Sequence, residues 1–226
     1  MNSDNIGTEK IRDEIINMST LVEQMLKECL SDESKFEDIV ILENRVNKFH
    51  SMIDDICFKF IALKRPMARD LRMALSAIKI NTDLERIADL ALNIKRAKML
   101  LERSSSNSLK QISFEVALMV KNAIDAFIQN DICLATEVIK HDRVVNELNK
   151  HIIQTYTCLD NQNHESNIEL NFGEAYNIVL ISSKLERIGD HTTNIAEDVI
   201  FLESGKDVRH QQYSAVVDHN RPKSEF

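Results

Sequence analysis

Carboxylates at helical spacing are the residues of this chain best placed to do chemistry. Glu85 and Asp89 stand four positions apart in Leu84-Glu85-Arg86-Ile87-Ala88-Asp89. Glu186 and Asp190 repeat the arrangement in Leu185-Glu186-Arg187-Ile188-Gly189-Asp190, 101 residues further on. On an α-helix that spacing puts both acids of a copy on one side, with Asn93 and Asn194 continuing each row another turn along. Ordinary acids on a solvated face would account for either copy alone, whereas two copies in register imply a shared constraint. Several acids brought together without a counter-charge repel one another, so they splay into water or a cation neutralises them.

A second pair in each half completes the constellation. Glu43 and Asn47 flank the apolar Leu42 and Val46, and Asp142 and Asn146 flank Val145 in the same way. In an antiparallel hairpin, residues equidistant from the turn lie abreast, because both helices rise by about 1.5 Å per residue. Glu43 with Asp89, and Asn47 with Glu85, share a midpoint at Pro66, where the chain must turn. Asp142 with Asp190, and Asn146 with Glu186, share a midpoint at position 166, inside the polar run Asp160 to Asn167. Each half is thus expected to bring three acids and an amide to one level. Oxygen donors on facing helices are how bundles build metal–carboxylate sites. With no ExxH companion and no histidine pair, the expected ions are hard or borderline: iron, manganese, magnesium or zinc. His50 and His191 lie near enough in sequence to join such shells.

The elements that must position these residues are helices. The 226 residues include only four glycines and two prolines, where average usage would give about 27 of the two together. Hairpins, bulges and phosphate-cradling loops depend on glycine, and these four glycines supply no P-loop, dinucleotide or nucleophile-elbow motif. The stripe Ile39, Leu42, Val46, Phe49, Ile53, Ile56, Phe60 alternates steps of three and four. So does Ala77, Ile80, Leu84, Ile87, Ala91, Ile94, echoed by Ile181, Leu185, Ile188, Thr192, Ile195. Helices are predicted near 5–30, 34–62, 67–103, 109–130, 132–159 and 168–204. The fold class is therefore all-α, with two tandem antiparallel three-helix bundles related by internal duplication. Residues 1–104 form the first bundle, 105–210 the second and 211–226 a poorly ordered tail, with the serine-rich run Ser104 to Ser108 as the boundary.

Charge and cysteine usage exclude other classes. A net charge of −8 and a pI near 5.4 argue against nucleic acid as a partner. No signal-peptide core and no apolar run of membrane-spanning length is seen, which predicts a soluble, cytoplasmic protein. Cys29, Cys57, Cys133 and Cys158 form no CxxC pair and read as buried reduced thiols. Arg86 and Arg187 read as local ion-pair partners of nearby acids. Lys64, Arg65, Arg69 and Arg72 gather around Pro66 and read either as a solvated corner or as a docking surface for an acidic partner.

These motifs, with Lys64-Arg65-Pro66, Asp70-Leu71-Arg72 and Gly205-Lys206-Asp207-Val208-Arg209-His210, make the chain resemble the PhoU family of phosphate-specific transport system accessory proteins over nearly its whole length to His210. The resemblance implies multinuclear iron or zinc clusters at Glu43, Asn47, Glu85 and Asp89, and at Asp142, Asn146, Glu186 and Asp190. The asparagines at 47 and 146 stand where the family motif ends in Asp, one charge fewer per cluster. It further implies negative regulation of phosphate uptake and of phosphate-responsive two-component signalling. Contact with the phosphate transporter ATPase and the sensor histidine kinase would serve that role, with a homodimer as the assembly and the membrane reached only through those partners. The rival class is a metal-dependent phosphohydrolase or oxidase using the same carboxylates. It demands a concave pocket, a placed base and an open coordination site, and no nucleophile stands beside the acids. A scaffold with vestigial acids is the third reading.

Overall fold

The repeated apolar stripes become the seams of six helices in a computed structural model that describes residues 7–101, 107–157 and 172–208. They are α1 (Thr8–Leu30), α2 (Phe36–Lys64), α3 (Arg69–Lys98), α4 (Asn107–Gln129), α5 (Ile132–Thr157) and α6 (Phe172–Ser204). Helices α1 to α3 pack together as one antiparallel bundle, α4 to α6 as a second, and α3 lies along α6 in the largest contact between them. The stripe residues Ile39, Leu42, Val46, Ile53, Ile56 and Phe60 of α2 are buried, with Phe49 at the edge, and Ala77, Ile80, Leu84, Ile87, Ala91 and Ile94 of α3 are all buried. Each large aliphatic side chain so buried stabilises the fold by about 1.5–3 kcal/mol.

Helix ends follow from local chemistry. Arg65 closes α2 in the left-handed region at φ 50°, its N–H donating to the Ile61 carbonyl at 3.3 Å. Pro66, with no N–H to give, stops the helix there. Between α4 and α5 the turn is tighter. Asn130 takes φ 57°, and the Asp131 carboxylate accepts from the N–H groups of Cys133 at 2.8 Å and Leu134 at 3.0 Å, an N-cap that starts α5. Gly205 ends α6 at φ 71°, its N–H donating to Phe201 O at 2.8 Å, as its position predicts.

Some boundaries differ from the sequence reading. Helix α3 stops at Lys98 rather than 103, because the N–H groups of Leu100 and Leu101 reach back only three residues, to Ala97 and Lys98. Asn107 and Ser108, expected in the linker, already belong to α4. The remainder of that linker, the polar run Asp160 to Asn167, Cys158 and the tail 211–226 lie outside the described residues. Cys29 and Cys57 are buried thiols as expected, pushed up to about 12 by loss of water and therefore protonated at neutral pH. Cys133 corrects the expectation: it is exposed, one residue into the first turn of α5.

Candidate metal centre

Two buried polar contacts set the register that aligns the acids. On α3, the Asn81 amide donates to His50 O and to Asp54 Oδ1, both at 2.9 Å, across the α2–α3 seam. On α6, the Ser182 hydroxyl donates to Asn149 Oδ1 at 2.7 Å across the α5–α6 seam. Counting along the helices from these points brings Asn47 level with Glu85 and Asp142 level with Asp190, the register the hairpin arithmetic predicts. Sequence reasoning did not single out Asn81, Asp54, Ser182 or Asn149. The signal was available, since Asn81 and Ser182 are polar side chains beside the stripe residues Ile80 and Ile181 and are both fully buried.

In the second half the acids act on one another. Asn146 donates to Asp142 Oδ2 at 2.7 Å. Burial first, and then the neighbouring Asp190 charge, lifts the Asp142 carboxyl above its ordinary range against the stabilising bond from Asn146. Glu186 is raised by burial and by the charges of Asp190 and Asp142. Asp190, at the solvent edge, is raised by burial, with His191 and Arg187 pulling the other way. Asp142 and Glu186 thus resist ionisation partly because of neighbouring carboxylates, a cost that a cation placed among them would relieve. Two buried oxygens there, Asp142 Oδ1 and Asn146 Oδ1, have no hydrogen-bond partner. Gly189 lets α6 pack closely on the first of them: a Cβ at that position would fall 3.1 Å from Asp142 Oδ1. Two buried oxygen acceptors without a hydrogen-bond partner fit a hard cation as the missing partner.

The first half has the same residues in another state. Asn47 donates to Glu43 Oε1 at 2.6 Å. Arg86 brings Nε to 3.6 Å from Glu85 Oε2 and Nη1 to 3.9 Å from Asp89 Oδ2, the local ion pairing expected of it. Arg187, by contrast, acts on Glu186 and Asp190 only through its longer-range charge. Among the described residues no three His, Cys, Asp or Glu side chains are already gathered as a ligand set, as mutual repulsion of bare carboxylates would lead one to expect.

Three residues expected in or near the constellation lie elsewhere. His191 and Asn194 turn towards α3, where Nδ1 of His191 meets Asp83 Oδ1 at 2.8 Å and Asn194 Nδ2 donates to the same oxygen at 3.2 Å. His50 stays on its own helix, 3.8 Å from Asp54. The basic corner is likewise drawn into the fold. Arg69 binds both oxygens of Glu203 at 2.8 and 2.9 Å, and Arg72 Nε donates to Leu202 O at 3.2 Å, neutralising the C-terminal end of α6.

Comparison with known proteins agrees with this architecture. The family model described as the PhoU domain matches twice, at residues 15–97 and 109–199, one match per bundle. A phosphate-specific transport system accessory protein PhoU homolog of Pseudomonas aeruginosa is 32% identical over 216 residues, 91% of this chain and 87% of that protein. The homolog of Clostridium acetobutylicum is 31% identical over 210 residues, 88% of this chain and 94% of that one. The crystal structure of PhoU from Pseudomonas aeruginosa superposes with a TM-score of 0.77 at 29% identity, covering 88% of this chain and 97% of that chain. The PhoU structure from Streptococcus pneumoniae gives a TM-score of 0.80 at 22% identity, over 89% and 97% of the two chains, a likeness of fold.

Proposed function

The chain belongs to the PhoU family, and from that premise we propose that it is a metal-binding regulatory adaptor of a phosphate transport system. Its relatives are named as accessory proteins of phosphate-specific transport. In this reading it restrains phosphate uptake and phosphate-responsive two-component signalling by touching the transporter ATPase and the sensor histidine kinase. It works in the cytoplasm as a homodimer, and no helix among the described residues is long and apolar enough to cross a membrane.

The observation that supports the metal-binding part is in the second cluster, where Asp142 and Asn146 each hold a buried oxygen without a partner and the charges of Asp142 and Asp190 reach Glu186. Iron or zinc, or manganese or magnesium, would be held there by carboxylate and amide oxygens. Such an ion would supply fixed positive charge, and with it a way to stiffen the α5–α6 seam. Glu43, Asn47, Glu85 and Asp89 form the corresponding set on the α2–α3 seam.

Metal analysis of protein purified without chelator tests the first part: bound ions are expected, reduced by Asp142→Asn with Asp190→Asn. Affinity capture from phosphate-replete cells tests the second. Recovery of the transporter ATPase or the sensor kinase is expected, and recovery of neither would overturn the adaptor reading.

A further inference from the structure

The internal repeat makes the two carboxylate clusters equivalent by position, yet their surroundings differ in three respects. Positive charge is already supplied to the first: Arg86 stands 3.6 Å from Glu85 and 3.9 Å from Asp89. Its counterpart in the second half, Arg187, closes no such pair on Glu186 or Asp190 and acts on them only from further off. The second difference is hydrogen bonding. The buried side-chain oxygens without a partner include Asp142 Oδ1 and Asn146 Oδ1 of the second cluster and none of Glu43, Asn47, Glu85 or Asp89. The third is space. A Cβ at Gly189 would fall 3.1 Å from Asp142 Oδ1, whereas Ala88 already carries a methyl group at the matching place of the first half.

Resting on the metal-binding reading above, we propose that the two clusters are unequal sites. Asp142, Asn146, Glu186 and Asp190 take a divalent cation first, while Arg86 serves the first cluster as a built-in counter-ion that an incoming ion must displace. An oxygen-only donor set has unsatisfied capacity in the second half, where a cation replaces nothing. In the first half a cation must compete with a guanidinium that already offsets the two acids. Arg86 is exposed, so the competition is modest and reversible. The consequence is graded loading: one cluster filled at low ion concentration, the other responding only as the concentration climbs.

The test uses the full chain, stripped of ions by a chelator and titrated with Mn²⁺ alone. Free Mn²⁺ is counted by electron paramagnetic resonance, and circular dichroism confirms the fold of every variant. The tightest class of bound ion is expected to vanish in Asp190→Asn and to persist in Asp89→Asn. Arg86→Gln is expected to tighten the weaker class by about threefold to tenfold, the scale of removing a pair of exposed ion pairs. Since Arg86 lies at the surface, that arm does not depend on a buried substitution being tolerated. Equal loss from the two acid variants, loss from Asp89→Asn alone, or no response to Arg86→Gln would overturn the inequality while leaving metal binding intact. A wild-type chain that binds no Mn²⁺ would overturn both.

Discussion

Gly189 shows how one residue joins stability to the site. A glycine inside a helix costs about 1 kcal/mol relative to alanine, and Ala88 at the matching place shows that alanine suits this helix position. What alanine would meet at 189 is Asp142 Oδ1, 3.1 Å from the new Cβ and tighter than ordinary contact, with Val145 close behind at 3.5 Å. The gain in helix propensity and the loss of room therefore oppose each other. Gly189→Ala is expected to change the stability of the metal-free protein by less than about 1 kcal/mol, while cutting metal content, because the added methyl group displaces the Asp142 carboxylate. Thermal melts of the stripped protein alongside metal analysis of the loaded one would check this. A clearly stabilised variant with full metal content would show that the glycine has no part in the site. The glycine's oddity was legible in the sequence, but the atom it makes room for was not, since that depends on how α5 seats against α6.

At the scale of the element, the C-terminal ends of α1, α4 and α6 are met by cations from other helices. Arg12 of α1 donates to Phe127 O and Ile128 O, both at 2.6 Å, and to Asn130 Oδ1 at 3.1 Å, with its guanidinium 4.9 Å from the Phe127 ring centre. Those carbonyls lie in the last turn of α4, where the helix dipole and unpaired C=O groups favour positive charge. Lys95 of α3 does the same for the end of α1, donating to Ser31 O at 3.0 Å. Arg12→Ala is expected to destabilise the protein by about 1–2 kcal/mol, measured by urea unfolding, with faster amide exchange confined to the last turn of α4. Lysine at position 12 should restore only part of the loss, since it lacks the fork that reaches three acceptors at once. The same scale explains what the sequence reading resolved and what it missed. Stripes of period 3.6 and the Pro66 midpoint need only one helix or one hairpin, and both were legible. The row Glu186, Asp190, Asn194 was extended one step too far: each i,i+4 step turns about 40° around the axis, so by Asn194 the row has left the α5 side and faces Asp83 on α3.

For the whole molecule, the question is what locks one bundle to the other. Along α3 and α6 the partners run in opposite order, Arg69 with Glu203, Arg72 with Leu202, Lys79 with Asp198 and Asp83 with His191, so the two helices cross antiparallel. That order lays the two repeated motifs side by side, with Ile87 and Ile188 both fully buried near the point where one half mirrors the other. A second and smaller contact joins α1 to α4, and it contains a conflict. Glu23 of α1 is raised above its ordinary range by burial and then by the charge of Asp125 on α4, with Lys121 offsetting part of the effect. An acid raised in the folded state contributes stability that is complete below its unfolded pKa and disappears as pH rises through the folded one. Glu23 should therefore oppose docking of the bundles at pH 7 and cease to do so once pH falls below the ordinary carboxylate range. Glu23→Gln removes the charge and keeps the shape. It is expected to stabilise the protein at pH 7 by about 0.5 kcal/mol once solvent screening is allowed for, a rise of roughly 1–2 °C in melting temperature for a chain of this size. The gain should shrink towards zero as pH falls below the ordinary carboxylate range, where the wild-type carboxyl is protonated in both folded and unfolded chains. Calorimetry of the two proteins across that range would read the difference directly, and a gain that held constant with pH would show that shape at the α1–α4 contact, not charge, sets how firmly the bundles close.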